Sequence, residues 1–509
     1  MEEWLNTLVA PARVYSDSIS GMEGGIAAMV RAGDDDVVSA VCAVGKAPAW
    51  HSGFDGDRLK TGEIRVTYAR YSEKNASHLR NTVPWLKPRP IGLKPSFGFG
   101  DRTGLATPGH AAAAADYRDR IVPVFQQQSM REMSRTHRTP AEVMNDAAWG
   151  LFRAGWDTPF CADADHLKTA EDVDAAAGAG FVFFTIDPSD HVDAGADDCD
   201  AGGVNAAFEK LVGDGVEGAG DVLKLYSGAR YRIESSHEAF EITFDELPLK
   251  RAAVKYARAI AHAVEMSERI ARAMGGSAFE MELSVDETAR STSVLEHLFI
   301  GLELKRRGVR VVSLAPRFVG GFEKGVDYKG DLTRFRADLR RHAAVARFCG
   351  PYKIGVHSGS DKLSVYPALG EECSGLFHVK TAGTSYLEAL RVAARADAAL
   401  FREIIAFSRE RFDADRASYH VSSRLDRVAP PGRLGDEDLE SVYLDGDDGR
   451  QVLHVAFGSV LTAGSGGSYV FRDRLKSVLR RSDALHVEIL KRHFRRHLDA
   501  LTRRAGGGF

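Results

Sequence analysis

Cysteine is scarce in this chain. Five occur in 509 residues (Cys42, Cys161, Cys199, Cys349 and Cys373), they lie far apart, and no C-x-x-C is present. An odd count at that spacing argues against a disulfide framework or a cysteine zinc site and fits a reducing compartment. No apolar run reaches the roughly 18 residues that a membrane span needs. The opening Met1-Glu2-Glu3-Trp4-Leu5 is acidic and lacks a basic segment ahead of an apolar core. A cytoplasmic protein with no membrane partner is therefore expected. Charge of one sign is not in excess either: the net charge is -4 and the pI is near 6.5. That balance calls for no nucleic-acid partner. Nucleotide fingerprints are missing. Gly98-Phe99-Gly100-Asp101-Arg102-Thr103-Gly104 sets its last glycine one residue too late for G-x-G-x-x-G, and there is no P-loop. The acidic run Asp187 to Asp200 lacks EF-hand spacing, and Gly458-Ser459-Val460 is not a nucleophile elbow.

What is present is globular: 44% hydrophobic and 27% charged residues. The length suits several domains or one large barrel with additions. Residues 1–90 mix strands and turns, with strands expected at Val37 to Val44 and Gly62 to Tyr71. The proline-rich Trp85 to Pro95 marks a boundary. From residue 93 the pattern becomes strand, polar loop, helix, repeated. Strands are expected at Pro95–Gly100, Ile121–Phe125, within Phe160–Thr169 (a short strand ending in a polar loop), Gly180–Ile186, Ala278–Val285, Val309–Leu314, Lys353–Val356 and Leu376–Val379. Eight such units predict an α/β fold, a (β/α)8 TIM-like barrel over residues 91–400, with an insertion near 187–250. The barrel carries an N-terminal α+β extension (1–90) and C-terminal helical additions (401–509). Within these, Gln451 to Phe457 reads as one more strand. Phe471 to Arg504 reads as helix with a solvated basic face.

The chemistry-bearing residues collect at strand ends, where a barrel places its active face. Asp163, Asp165 and His166 share one short stretch, and an Asp beside a His suits a base next to a metal ligand. Alternation along the fifth strand puts Phe279, Met281, Leu283 and Val285 on one face and Glu280, Glu282, Ser284 and Asp286 on the other. The acids then point into the barrel, where carboxylates are costly unless paired or metal-bound. His357 points inward at the end of the seventh strand, and His378 and Lys380 share a face of the eighth. His166, His357 and His378 with the carboxylates suit a borderline divalent metal of the manganese, iron, nickel or zinc type. His110, His191, His420 and His454 are expected to be structural or peripheral.

The runs GFGDRTGLATPGH, ADADHLKT, FFTIDPSDHVD, ELSVDET, LAPRFVGGFEKGVDY, HSGSDK, HVKTAGTSYLEALR and RASYHVSS, in this order, resemble the tagaturonate epimerase family over about residues 97–460. The resemblance implies metal-dependent interconversion of D-tagaturonate and D-fructuronate, which differ at C4. The ketone is at C2, so the C4 hydrogen is not acidified by it. The C4 hydroxyl is beta to the ketone, so retro-aldol cleavage of C3–C4 is open, with a metal across the C2 and C3 oxygens. Carried onto this chain, the resemblance implies Asp165 as proton acceptor and Glu282 as donor, with Glu287 as the substitute. It implies His166 and His357 as metal ligands, with Glu323 or His378 as the third. Arg102, Arg317, Lys362 and Lys380 are the cations available to the substrate carboxylate. A metal-dependent ketose aldolase or isomerase on the same barrel is the alternative enzyme; a sugar-sensing binding protein is the non-enzyme one. The expected partner is a small uronate, and a homo-oligomer is compatible with the sequence.

Overall fold

The architecture is that of a computed structural model, which describes residues 2–503 apart from 10, 11, 33–35, 45–48 and 236. Eight parallel strands close a barrel in sequence order. They are β1 (Ser96–Phe99), β2 (Val122–Ser129), β3 (Cys161–Leu167), β4 (Phe183–Ile186), β5 (Glu280–Val285), β6 (Ser313–Pro316), β7 (Lys353–Val356) and β8 (Phe377–Thr381). The predicted (β/α)8 barrel is thus the observed one. Every strand pairs with its sequence neighbours, and β8 closes on β1 through His378 opposite Ser96 and Lys380 opposite Gly98.

Helices cover the outside because each strand's outward residues are apolar. On β5, Met281, Leu283 and Val285 are buried beneath helices, while Glu280, Glu282 and Ser284 line the interior. The helix starts are written locally. Thr139, Thr169 and Ser293 each close a capping box that meets two otherwise orphaned backbone donors. The long helix Glu246–Met274 follows an inserted segment holding the helix Ala201–Gly213 and the hairpin Arg230–Glu234/Ala239–Thr243.

Ahead of the barrel, six strands between Arg13 and Ala69 form an antiparallel sheet. Both expected N-terminal strands are found, at Asp36–Val44 and Ile64–Ala69. Cys161, Cys199, Cys349 and Cys373 are free thiols. The expected sixth strand begins later than its apolar run, at Ser313, where pairing with Glu282 of β5 starts.

The sequence expectation fails at Gln451 to Phe457. That stretch is helical, within Asp447–Val455 and Phe457–Thr462. Residues Gly449 to Val455 are buried on every side, so no polar face betrays the helical period. The C-terminal helices Arg472–Arg481 and Asp483–Thr502 form as expected, and the second packs on the barrel helix Thr107–Ala114. No helix among the described residues is long and apolar enough to cross a membrane.

Candidate active site

The barrel interior is polar, and its centre is Lys380. Its ammonium lies 2.9 Å from Asp163, 2.8 Å from Asp165 and 2.8 Å from Glu282, and donates to Thr185 Oγ1 at 2.6 Å. Burial opposes the charge on Lys380, but the three carboxylates outweigh it and hold the amine protonated. The same contacts act in reverse on the acids. Burial pushes Asp165 up, while His166, Lys380 and His357 pull it well below the usual carboxylate range. Glu282 is held down likewise by Lys380 and His357. Gln127 of β2 completes the setting of Asp165, donating from Nε2 at 2.9 Å.

Above this layer two imidazoles meet. His166 Nε2 and His357 Nδ1 are 3.3 Å apart. Adjacent residues of a regular strand face opposite ways, yet Asp165 and His166 both reach the cavity. The chain manages this through an irregularity. The β3–β4 register slips by one residue past Ala164, and His166 has φ 52°, a left-handed value that non-glycine residues adopt at a cost. The far nitrogen of each ring is taken by a carboxylate: Asp187 Oδ2 lies 3.2 Å from His166 Nδ1, and Glu282 Oε1 lies 2.7 Å from His357 Nε2. Burial disfavours the His166 cation, but Asp165 and Asp187 raise its pKa to about 10. Gly355 of β7 leaves room for Glu282, since a Cβ there would stand 2.7 Å from its Oε2.

Asp165, His166 and His357 offer ligand atoms that all lie within 4.8 Å of one another. Four buried carboxylates (Asp163, Asp165, Asp187 and Glu282) and the half-buried Asp286 surround these rings, against the buried ammonium groups of Lys380 and, deeper in the barrel, Lys353. Glu282 Oε2 is buried with no hydrogen-bond partner. Such an excess of buried negative charge beside two imidazoles fits a divalent cation. A second group, Asp361, His493 and His497, also meets the distance test. There the His497 ring accepts the Asp361 backbone N–H at 3.1 Å, and Arg450 holds the Asp361 carboxylate at 2.9 Å. That group is satisfied as structure.

A cavity opens above the rings. Arg102, Arg131, Lys324, Tyr419 and His454 line it together with the two imidazoles. Its lining is polar, with the cations Arg102, Arg131, Lys324 and Lys380 and the carboxylates Glu132 and Asp165. It suits a small polyhydroxylated acid.

Residues 15–501 match the model of the tagaturonate epimerase family. The chain belongs to that family. It is 42% identical over 461 residues to a tagaturonate/fructuronate epimerase of Thermotoga maritima, covering 91% of each chain. It superposes on crystal structures of the fructuronate-tagaturonate epimerase UxaE of Cohnella laeviribosi at 32% identity. The native form gives a TM-score of 0.89, with 98% of this chain and 99% of that one covered. A form with two glycerols gives 0.90, with 99% of each covered.

Of the residues singled out from the sequence of this family member, the fold gathers Asp165, His166, Glu282, His357 and Lys380 within one hydrogen-bonded group. Arg102 reaches the same cavity. Glu287 stands beside His166 and Asp187, with ligand atoms all within 4.8 Å of one another, while the others sit elsewhere. His378 is one layer deeper, between Ser96 Oγ at 2.9 Å and Asp163 Oδ2 at 3.4 Å. Glu323 is held by Lys329, Ser422 and Gln451, at 3.0, 2.8 and 2.8 Å. Lys362 is fully buried and spends its protons on the carbonyls of Glu323, Val326 and Ser360. Burial lowers its pKa to about 7. Arg317 lies on the outer rim, reaching the Asp286 carbonyl at 3.4 Å, and Glu287 pairs with Arg131 at 2.7 Å.

Sequence reasoning missed Gln127, Asp187, Arg131, Lys324 and Tyr419 as parts of the site. Gln127 lies in β2 just past the expected end of the second strand, Asp187 follows β4 immediately, and those positions were the available signal. It set His454 aside as peripheral, whereas the structure places it in the cavity wall. Tyr419 and His454 come from beyond the barrel, and no local pattern announces them.

Proposed function

We propose that this chain is an epimerase that interconverts D-tagaturonate and D-fructuronate at C4 by retro-aldol and aldol steps. Membership of the tagaturonate epimerase family supports the reaction. The observation that carries the mechanism is the Asp165–Lys380–Glu282 bridge beside the His166–His357 pair.

The donor set fits a divalent cation, which His166 and His357 would hold with the Asp165 carboxylate alongside. When bound, such an ion supplies Lewis acidity toward the C2 and C3 oxygens. Asp187 and Glu282 fix which nitrogen of each ring faces the site. Asp165, kept ionised by its neighbours, accepts the proton of the C4 hydroxyl as the C3–C4 bond opens. Glu282 returns a proton after the bond re-forms on the other face. Lys380 Nζ touches both carboxylates, so a proton taken at Asp165 reaches Glu282 without entering solvent. Arg102 and the half-buried Lys324 face the cavity as cations for the uronate carboxylate. The free thiols are in keeping with a cytoplasmic setting.

The test is a conversion assay. Protein stripped with a chelator and reloaded with single divalent metals is given D-fructuronate. Metal-dependent formation of D-tagaturonate is expected. Release of a three-carbon aldehyde as the main product would replace the epimerase with an aldolase.

A further inference from the structure

Two side chains in the cavity wall are buried, polar and short of partners. Arg102, with its side chain 1% exposed, pairs one Nη2 with Glu132 and lays its guanidinium 3.6 Å over the Phe457 ring. Its Nε and Nη1 are buried with no hydrogen-bond partner. His454, also 1% exposed, has neither Nδ1 nor Nε2 satisfied. Buried polar atoms normally find partners, so four orphaned nitrogens lining one cavity point to a ligand. The two residues are neighbours. A Cβ on Gly383 would collide with the His454 ring and stand 3.1 Å from Arg102 Nη2, and one on Gly325 would stand 3.4 Å from His454 Nδ1. Two glycines thus make the slot that the imidazole occupies.

We infer that Arg102 and His454 grip the C5–C6 end of the uronate, Arg102 taking the C6 carboxylate and His454 the C5 hydroxyl. The assignment rests on the epimerase reading above and names how that site holds its substrate. The chemistry of each group selects its partner. A guanidinium offers only donors, which suits a carboxylate. A neutral imidazole offers one donor and one acceptor, which suits a hydroxyl that gives one proton and takes another. Burial, aided by Arg102, Lys324 and Arg450 nearby, keeps His454 neutral.

The anchor explains how an epimerase differs from an aldolase on this barrel. Cleavage breaks the C4 O–H and C3–C4 bonds and forms the C4 carbonyl. The bonding pair moves into the enediol of the C1–C3 piece. The C4–C6 piece is then an aldehyde acid, and inversion requires it to present its other face by turning about C4–C5. With C5 and C6 held and C4 free, the fragment turns in place and is not lost. His454 stands on the helix Asp447–Val455, outside the barrel, so the C-terminal region supplies this function.

The experiment compares metal-loaded wild type, H454Q and H454L on D-fructuronate, reading epimerisation, trapped three-carbon aldehyde and bound metal. H454L is expected to lose about 10- to 100-fold in kcat/KM and to release a larger share of aldehyde per turnover at unchanged metal content. H454Q, which keeps a donor and an acceptor, should fall between. Unaltered kcat/KM and unaltered aldehyde release in H454L would overturn the assignment. As a check that needs no variant, glycerate should inhibit the wild type at least about tenfold better than 3-hydroxypropanoate, which lacks only the hydroxyl next to the carboxylate; equal inhibition would also overturn it. No epimerisation by the wild type would sink the epimerase reading itself, whereas normal wild-type turnover with an unaltered H454L would sink this assignment alone.

Discussion

His166 and His357 face each other with Nε2 and Nδ1 3.3 Å apart, and each ring is backed by its own carboxylate. Asp187 stands behind one ring and Glu282 behind the other. Such backing fixes the tautomer and raises the basicity of a ligand, and its loss commonly weakens metal binding about 10- to 100-fold. Asp187→Asn should therefore weaken divalent metal binding by that factor in a chelator competition. Turnover should recover at high metal. Unchanged metal affinity would remove Asp187 from this role.

Asp165 and Glu282 are proposed to move protons and also stand beside the two imidazoles, so their isosteric amides are to be assayed at saturating metal. Asp165→Asn and Glu282→Gln should each lower kcat by about 10²- to 10⁴-fold. Asp165→Asn leaves His166 and His357 in place. Wild-type turnover in either variant, with metal bound, would contradict the assignment.

The metal-free protein should lose stability as the pH rises. His166 is raised to about 10 by Asp165 and Asp187 against the opposing effect of burial. Its unfolded value is near 6.5. A group whose pKa is raised on folding stabilises fully below the unfolded value and loses that contribution as pH climbs through the folded one. The thermal midpoint of the metal-free wild type should thus fall between about pH 6.5 and 10. In His166→Gln that slope should flatten; an equal slope in both would contradict it.

Much of this was legible in the chain. The alternation of Glu280, Glu282 and Ser284 with Met281, Leu283 and Val285 announced an inward acidic row, because a strand's period is two. The row is there, with Glu280 turned down to take the backbone N–H of Ile91 at 2.7 Å and Glu282 turned up to His357. Asp165 and His166 were readable as a pair, but not the slipped register that lets both face inward. Lys380 was read as a cation for substrate. Its three carboxylate partners come from β3 and β5, and distance across a barrel is invisible in sequence. Lys362 looked equally available and is consumed by three carbonyls of its own surroundings.

Lys362 and Arg102 consequently behave differently when altered. Lys362→Met removes a buried donor from three carbonyls and should cost about 1–3 kcal/mol of stability for each carbonyl left unpaired, read as a lower thermal midpoint. Arg102→Lys keeps the charge but loses the planar donors, and should raise KM for D-fructuronate at least about tenfold. A KM effect in the first variant and none in the second would reverse these roles.

The central claim is that C4 is inverted by opening and closing the C3–C4 bond. Proton NMR of D-fructuronate incubated with metal-loaded protein in D2O tests it most directly. The account predicts D-tagaturonate with hydrogen retained at C4, because the C4–H bond is never broken. Deuterium at C4 would contradict the mechanism, and absence of D-tagaturonate with every common divalent metal would contradict the function.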